Sequence, residues 1–170
     1  MDITKLERGK NFPEEINVFV EIPQGSAIKY EIDKGSGVIF VDRFSYTAMS
    51  YPFNYGFIPQ TKAEDGDAVD VLVLSSLPVN PGTVIPSRVI GMLEMEDEEG
   101  IDTKILAVPT VKVDPFFANI NDVSDIDTAL KNKIKHFFDH YKEIEPGKWV
   151  KTKDFKGKDT ALVAIRQSLK

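Results

Sequence analysis

In the run Glu64-Asp65-Gly66-Asp67-Ala68-Val69-Asp70-Val71-Leu72-Val73, three aspartates crowd a glycine turn that leads directly into an apolar strand. Carboxylates this close repel one another unless a cation neutralises them. Turns favour aspartate for local backbone reasons, so a solvated acidic turn accounts for an isolated Asp-x-Asp. Asp70 fits that account poorly. It falls where a buried strand begins, and an ionised carboxylate there is costly unless it is paired or holds a metal. The loop is not an EF-hand: counted from Asp65, the sixth position is Asp70 where glycine is needed, and the twelfth is Ser76 where glutamate is needed. Carboxylate oxygens are hard ligands suited to Mg²⁺ or Mn²⁺, and Mg²⁺ keeps several waters and binds substrate phosphate with the rest. The spacing therefore points towards phosphate chemistry.

A second acidic stretch, Glu94 to Lys104, reads as a charged hairpin tip between two strands and contains Asp97 and Asp102. Asp102 opens the next strand beside Lys104, and period-two alternation puts both side chains on one face. The same alternation pairs Lys29 with Glu31. Arg43, Tyr51, Tyr55, Tyr141 and Lys142 complete the set of cationic and phenolic groups near β-type segments. Singly, each reads as a surface ion pair or a core-edge tyrosine. Together they meet the needs of a polyphosphate: metal-bridged oxygens, an arginine fork, lysine charges and hydroxyl donors. His136 and His140 stand four apart on one helix but lack the glutamate of a His-Glu-x-x-His zinc motif, which favours a helix-surface pair or packing against a neighbouring subunit.

The elements that must position these residues are legible as patterns. β-type runs at Ile16–Ile22, Ile28–Ile32 and Gly37–Val41 predict neighbouring antiparallel strands, and further runs cover Val69–Leu74, Thr83–Met95 and Lys104–Val113. Many short strands at close spacing predict a barrel. Ile126, Leu130, Ile134, Phe137, Phe138 and Tyr141 recur at helical spacing, with Ser124 and Asp127 as a capping box and Pro146-Gly147 at the end. A second helix is expected from about Asp159, with Leu162, Ile165 and Leu169 inward. The fold class is α+β, a β-barrel with helices packed on it, and the 170 residues read as one domain, 1–170.

With 42% hydrophobic and 28% charged residues the composition is that of a globular protein. The net charge of −6 argues against electrostatic attraction to nucleic acid or anionic membranes and makes divalent cations the natural partners. Cysteine is absent, which excludes disulfides, thiolate metal sites and cysteine nucleophiles. No apolar stretch suggests a membrane span or signal peptide, so a cytoplasmic protein is expected.

The chain closely resembles the soluble inorganic pyrophosphatases of the single-domain bacterial and archaeal kind. The resemblance runs nearly end to end and is carried by Asp65-Gly66-Asp67-Ala68-Val69-Asp70-Val71, with Glu21-Ile22-Pro23, Ile28-Lys29-Tyr30-Glu31, Val41-Asp42-Arg43, Tyr51-Pro52-x-Asn54-Tyr55-Gly56 and His136-Phe137-Phe138-x-His140-Tyr141-Lys142. It implies a five-stranded OB-like barrel with two flanking C-terminal helices, a homohexamer, and pyrophosphate hydrolysis with several Mg²⁺ ions per site, Mn²⁺ or other divalent cations being substitutes. Carried over by position, Asp65, Asp70 and Asp102 would hold one metal and Asp70 would share a second. Asp97 and Asp102 would hold a third, Glu31 would serve a fourth, and Glu21 would be a supporting carboxylate. Asp67 would be the general base. Lys29, Arg43, Tyr55, Lys104, Tyr141 and Lys142 would contact the phosphates, with Tyr51 close behind. The family usually has Pro or Glu at the position of Ala68, a spacer between ligands. The loop Gln24–Ala27 is shorter than in some relatives. Two other readings of the residues stay open: an OB-fold module for single-stranded nucleic acid, and a magnesium-dependent phosphohydrolase with a different substrate.

Overall fold

The apolar runs form strands in a computed structural model that describes residues 3–64 and 66–169. Strands β1 (Glu15–Ile22), β2 (Ile28–Asp33) and β3 (Val38–Phe44) lead to β4 (Asn54–Phe57), β5 (Asp70–Val73) and β6 (Val84–Asp97). Then come β7 (Gly100–Ile101), β8 (Lys104–Pro109), helix α1 (Thr128–His140), β9 (Val150–Gly157) and helix α2 (Lys158–Gln167). Pairing runs β1–β4–β5–β8–β6, and β6 returns to β1, which closes a ring of five strands. Only β5 and β8 are parallel within it. Closure pairs each ring strand on both sides, the far half of β6 extending past β1 to pair with β9, and the result is an OB-like barrel in an α+β fold.

Both faces of the barrel strands are covered, which is why β5 and β8 read as unbroken apolar runs. Alternate residues enter separate clusters. Leu72 and Leu106 pack with Ile134, Phe137 and Phe138 of α1. Val71, Val73, Ile105 and Ala107 pack with Ala161, Leu162 and Ile165 of α2. Where β1 crosses β4 the backbones touch: a Cβ on Gly56 would lie 1.9 Å from the Phe19 carbonyl oxygen, so only glycine fits.

Several expectations change. β2 and β3 do pair, but as a separate two-stranded sheet; β1 bonds instead to β4 and β6. The Glu21 carboxylate links the hairpin to the barrel by accepting from the Ile32 N–H at 2.8 Å. Three strands escaped the pattern reading. β4 is too short to alternate, β7 has two residues, and β9 (Val-Lys-Thr-Lys-Asp-Phe-Lys-Gly) is mostly charged and owes its conformation to pairing with β6. β8 ends at Pro109, where a proline cannot continue the ladder, and Thr110 closes a turn by accepting from the N–H groups of Val113 and Asp114. The capping box belongs to Asp122 and Asp125 around a short 3₁₀ turn, while Asp127 precedes α1 without a side-chain cap. Leu162 and Ile165 point inward, but Leu169 lies past the end of α2 and is exposed. Among the described residues, no helix is long and apolar enough to cross a membrane.

Candidate active site

One cavity of about 760 Å³ opens between the barrel, the β2–β3 hairpin and the C-terminal end of α1. Every residue that the sequence assigns to metal or phosphate lines it, except Asp65, which lies outside the described residues. The barrel supplies Glu21 from β1, Tyr55 from β4, Asp70 from the start of β5 and Lys104 from the start of β8. Asp97 ends β6 and Asp102 follows β7. The Asp102 N–H returns to the Met95 carbonyl at 2.9 Å, which brings the two aspartates to the same hairpin. Lys29 and Glu31 stand on β2, Arg43 on β3, and Tyr141 and Lys142 just beyond α1.

Buried charge organises the floor. Lys104 is only 3% exposed, and its ammonium lies 2.6 Å from Asp70 Oδ2 and also contacts Asp102. Burial disfavours that charge, but Asp70 and Asp102 outweigh it and raise the lysine, which stays protonated. Burial also pushes the Asp102 carboxyl up; Lys104 pulls it down, while Asp70 and Asp97 add to the push. The carboxylates thus still repel one another across Lys104. Lys142 holds Asp97 at 2.8 Å and Glu98 at 3.2 Å. On the hairpin, Lys29 and Glu31 share a face as expected, 3.6 Å apart, and Asp42 lies 3.1 Å from Lys29. Asp67 sits at the exposed rim, 3.4 Å from Lys34, on the turn that Gly66 makes with φ of 96°.

Phenols form one wall. Tyr51 stacks at 5.2 Å from Tyr55 and 4.8 Å from Phe137, and Tyr141 lies 5.1 Å from Phe137. Burial raises all three tyrosines, so their hydroxyls remain donors at neutral pH. Tyr55 is aimed by its neighbour Asn54, fully buried, whose amide accepts from Gln24 and Val79 and donates to Ser75 and Leu77.

The residues fit a hard divalent cation. The donors are all carboxylate oxygens, and burial, with Asp70 and Asp97, keeps the Asp102 carboxyl raised despite Lys104, a condition that a bound cation would relieve. Among the described residues no three such groups form a ready-made cluster. Mg²⁺ takes a few protein oxygens and completes its shell with water and substrate phosphate.

The sequence reading missed Glu98, Glu145 and Lys148 as parts of this cavity. Lys148 holds Glu98 at 2.5 Å, and Glu145 holds Arg43 at 2.5 Å. Glu98 was visible only as one charge among several at a hairpin tip. No spacing signal links Glu145 to Arg43. His136 and His140 lie outside the cavity, with ring centroids 4.7 Å apart and His140 on Glu143.

A closed barrel presenting carboxylates, ammonium groups, a guanidinium and phenols to one cavity defines a class, the metal-assisted phosphohydrolases. Residues 18–170 match the inorganic pyrophosphatase family. The inorganic pyrophosphatase of Aquifex pyrophilus is 59% identical over 169 residues, 99% of this chain and 96% of that one. The one from Saccharolobus solfataricus is 63% identical over 147 residues, 86% of each chain. The solved structure of the Helicobacter pylori inorganic pyrophosphatase superposes with a TM-score of 0.94 at 45% identity, covering 97% of this chain and 96% of that one. The chain belongs to the inorganic pyrophosphatase family and is an inorganic diphosphatase, hydrolysing pyrophosphate to two orthophosphates.

Proposed function

We propose that residues 1–170 act as one catalytic domain in which pyrophosphate is cleaved by in-line attack of water, without a phosphoenzyme, at the cavity described above. The observation that carries this reading is Lys104, buried yet held between Asp70 and Asp102, because it sets cation and metal-type ligands side by side on the floor. Asp65, Asp70, Asp97, Asp102 and Glu31 hold Mg²⁺, with Glu21 in support. When bound, the ions supply neutralising charge to the phosphate oxygens and acidify the attacking water. Lys29, Arg43, Lys104 and Lys142 bind the phosphates by charge, and Tyr55 and Tyr141 donate hydrogen bonds to them, with Tyr51 packed behind. Asp67 takes the proton of the attacking water at its carboxylate, from its place on the rim of the cavity beside Lys34. Homohexamer formation and a cytoplasmic location complete the proposal.

Phosphate release from pyrophosphate with Mg²⁺, beside Asp70→Asn and an EDTA control, tests the site. Release that disappears in both controls is the expected result. Undiminished release by Asp70→Asn would remove that residue from the metal set. ATP and phosphomonoesters run in parallel test the substrate class, and sedimentation tests the hexamer.

A further inference from the structure

Arg43 is the penultimate residue of β3 on the hairpin, and Glu145 stands in the turn after α1, 102 residues away. They meet at the cavity wall, Arg43 Nη1 to Glu145 Oε2 at 2.5 Å. The Glu145 side chain is 10% exposed, and Arg43 is its one ion-pair partner among the described residues. Arg43 Nε meanwhile lies 3.1 Å from Asp42, so the guanidinium fork is filled on two sides by the protein's own carboxylates. Lys104 and Lys142 differ in this respect. They lean on Asp70, Asp102 and Asp97, which the proposed function gives to divalent cations. Glu145 has no part in that set, so no bound cation draws it away from Arg43, and an incoming anion meets it at Nη1 while Asp42 keeps to Nε. Its turn is also tied down beyond it, because Lys148 and the Trp149 N–H both bond to Glu98.

We propose that Glu145 is a positioning residue that stands in for a phosphate on Arg43: it holds the guanidinium ready, is displaced by the substrate, and returns to Arg43 as orthophosphate leaves. A carboxylate and a phosphate offer the same acceptor geometry to the fork, so the exchange needs no rearrangement of Arg43. Glu145 competes from the same chain and stays at high local concentration, which lowers the apparent affinity for every phosphate ligand. Displacing Glu145 costs both ligands the same free energy, but orthophosphate, with fewer other contacts than pyrophosphate, is left the more weakly held, and product release is the step that gains. This inference rests on Arg43 being a phosphate contact.

The test compares the full-length, Mg²⁺-loaded protein with Glu145→Gln, Arg43→Lys, the double variant, and Glu143→Gln, which removes a charge from the same turn without touching Arg43. Calorimetry with inorganic phosphate gives affinity, and steady-state hydrolysis separates KM from kcat. A part-exposed ion pair predicts that Glu145→Gln binds phosphate about threefold to fivefold more tightly, with KM and kcat both lowered. The gain should vanish in the Arg43→Lys background and be absent in Glu143→Gln, and Glu145→Asp should restore part of the wild-type KM. Unchanged or weaker phosphate binding by Glu145→Gln overturns the inference, as does a gain that persists without Arg43 or appears equally in Glu143→Gln. If Arg43→Lys itself binds phosphate normally, the assignment beneath the inference fails instead.

Discussion

Glu21 joins two roles in one carboxylate, tethering the β2–β3 hairpin through Ile32 and facing the cavity. Burial pushes it up from 4.5 to about 7, with the Ile32 N–H pulling it down and Asp70 and Glu31 adding to the push. Between these values the folded, metal-free protein keeps a proton that the unfolded chain has lost. Stability therefore falls as pH rises across that window and levels off above it, by about 3 kcal/mol in all. Glu21→Gln keeps the acceptor for Ile32 without the charge. In EDTA its urea midpoint should match wild type near pH 4.5 and exceed it at pH 8; a midpoint no higher at pH 8 would refute the account. Asp67 yields a separate prediction, because a proton acceptor matters to turnover and little to ion binding. Asp67→Asn should lower kcat by about 10²–10⁴-fold while Mg²⁺ affinity by calorimetry stays near wild type. Lost Mg²⁺ binding with normal turnover once loaded would make Asp67 a ligand instead.

At the scale of elements, the short β4 is the piece on which the tyrosine wall depends. It has four residues, and its position is set by the Asn54 hydrogen bonds and by the close crossing of Gly56 over β1. Gly56→Ala forces β1 and β4 apart and should destabilise the protein by more than about 2 kcal/mol, read from denaturant unfolding. A cost below 0.5 kcal/mol would mean that the crossing relaxes freely. The hairpin of β2 and β3 is held differently, by Glu21 and by ion pairs reaching Asp67 and Glu145. It carries Lys29, Glu31 and Arg43 as a unit, and Ile32 and Ile39 seat that unit on Phe19 and Phe57 of the barrel alongside the polar links.

For the whole molecule, the acidic balance of −6 gathers in part around one cavity, where Lys104 leaves the carboxylates under mutual repulsion. Ions that bind only the folded state stabilise it by mass action, about 2.7 kcal/mol at one hundred times the dissociation constant. For a chain of this size that corresponds to a rise in Tm of roughly 5–10 °C on adding Mg²⁺. The rise should shrink in Asp70→Asn. An equal rise in that variant would place the stabilising ions elsewhere.

The chemistry was legible in the sequence because it depends on residue type at short range: three aspartates around a glycine, Asp102 two residues from Lys104, Lys29 two from Glu31. The barrel strands of β5, β6 and β8 were legible for the same reason, being apolar runs buried on both faces. Strands whose conformation comes from a partner were not, and charged β9 exists because β6 offers it an edge. The other misses have separate causes: Asp122 and Asp125 cap a 3₁₀ turn of their own ahead of α1, Pro109 ends β8 before Val113, and α2 stops at Gln167 before Leu169. Beyond those local pairs, which carboxylate meets which cation was decided by the tertiary structure alone. Arg43 and Glu145, or Lys142 and Asp97, meet only after the hairpin, the β6–β7 tip and the end of α1 converge, and no local periodicity encodes a contact made across so much chain.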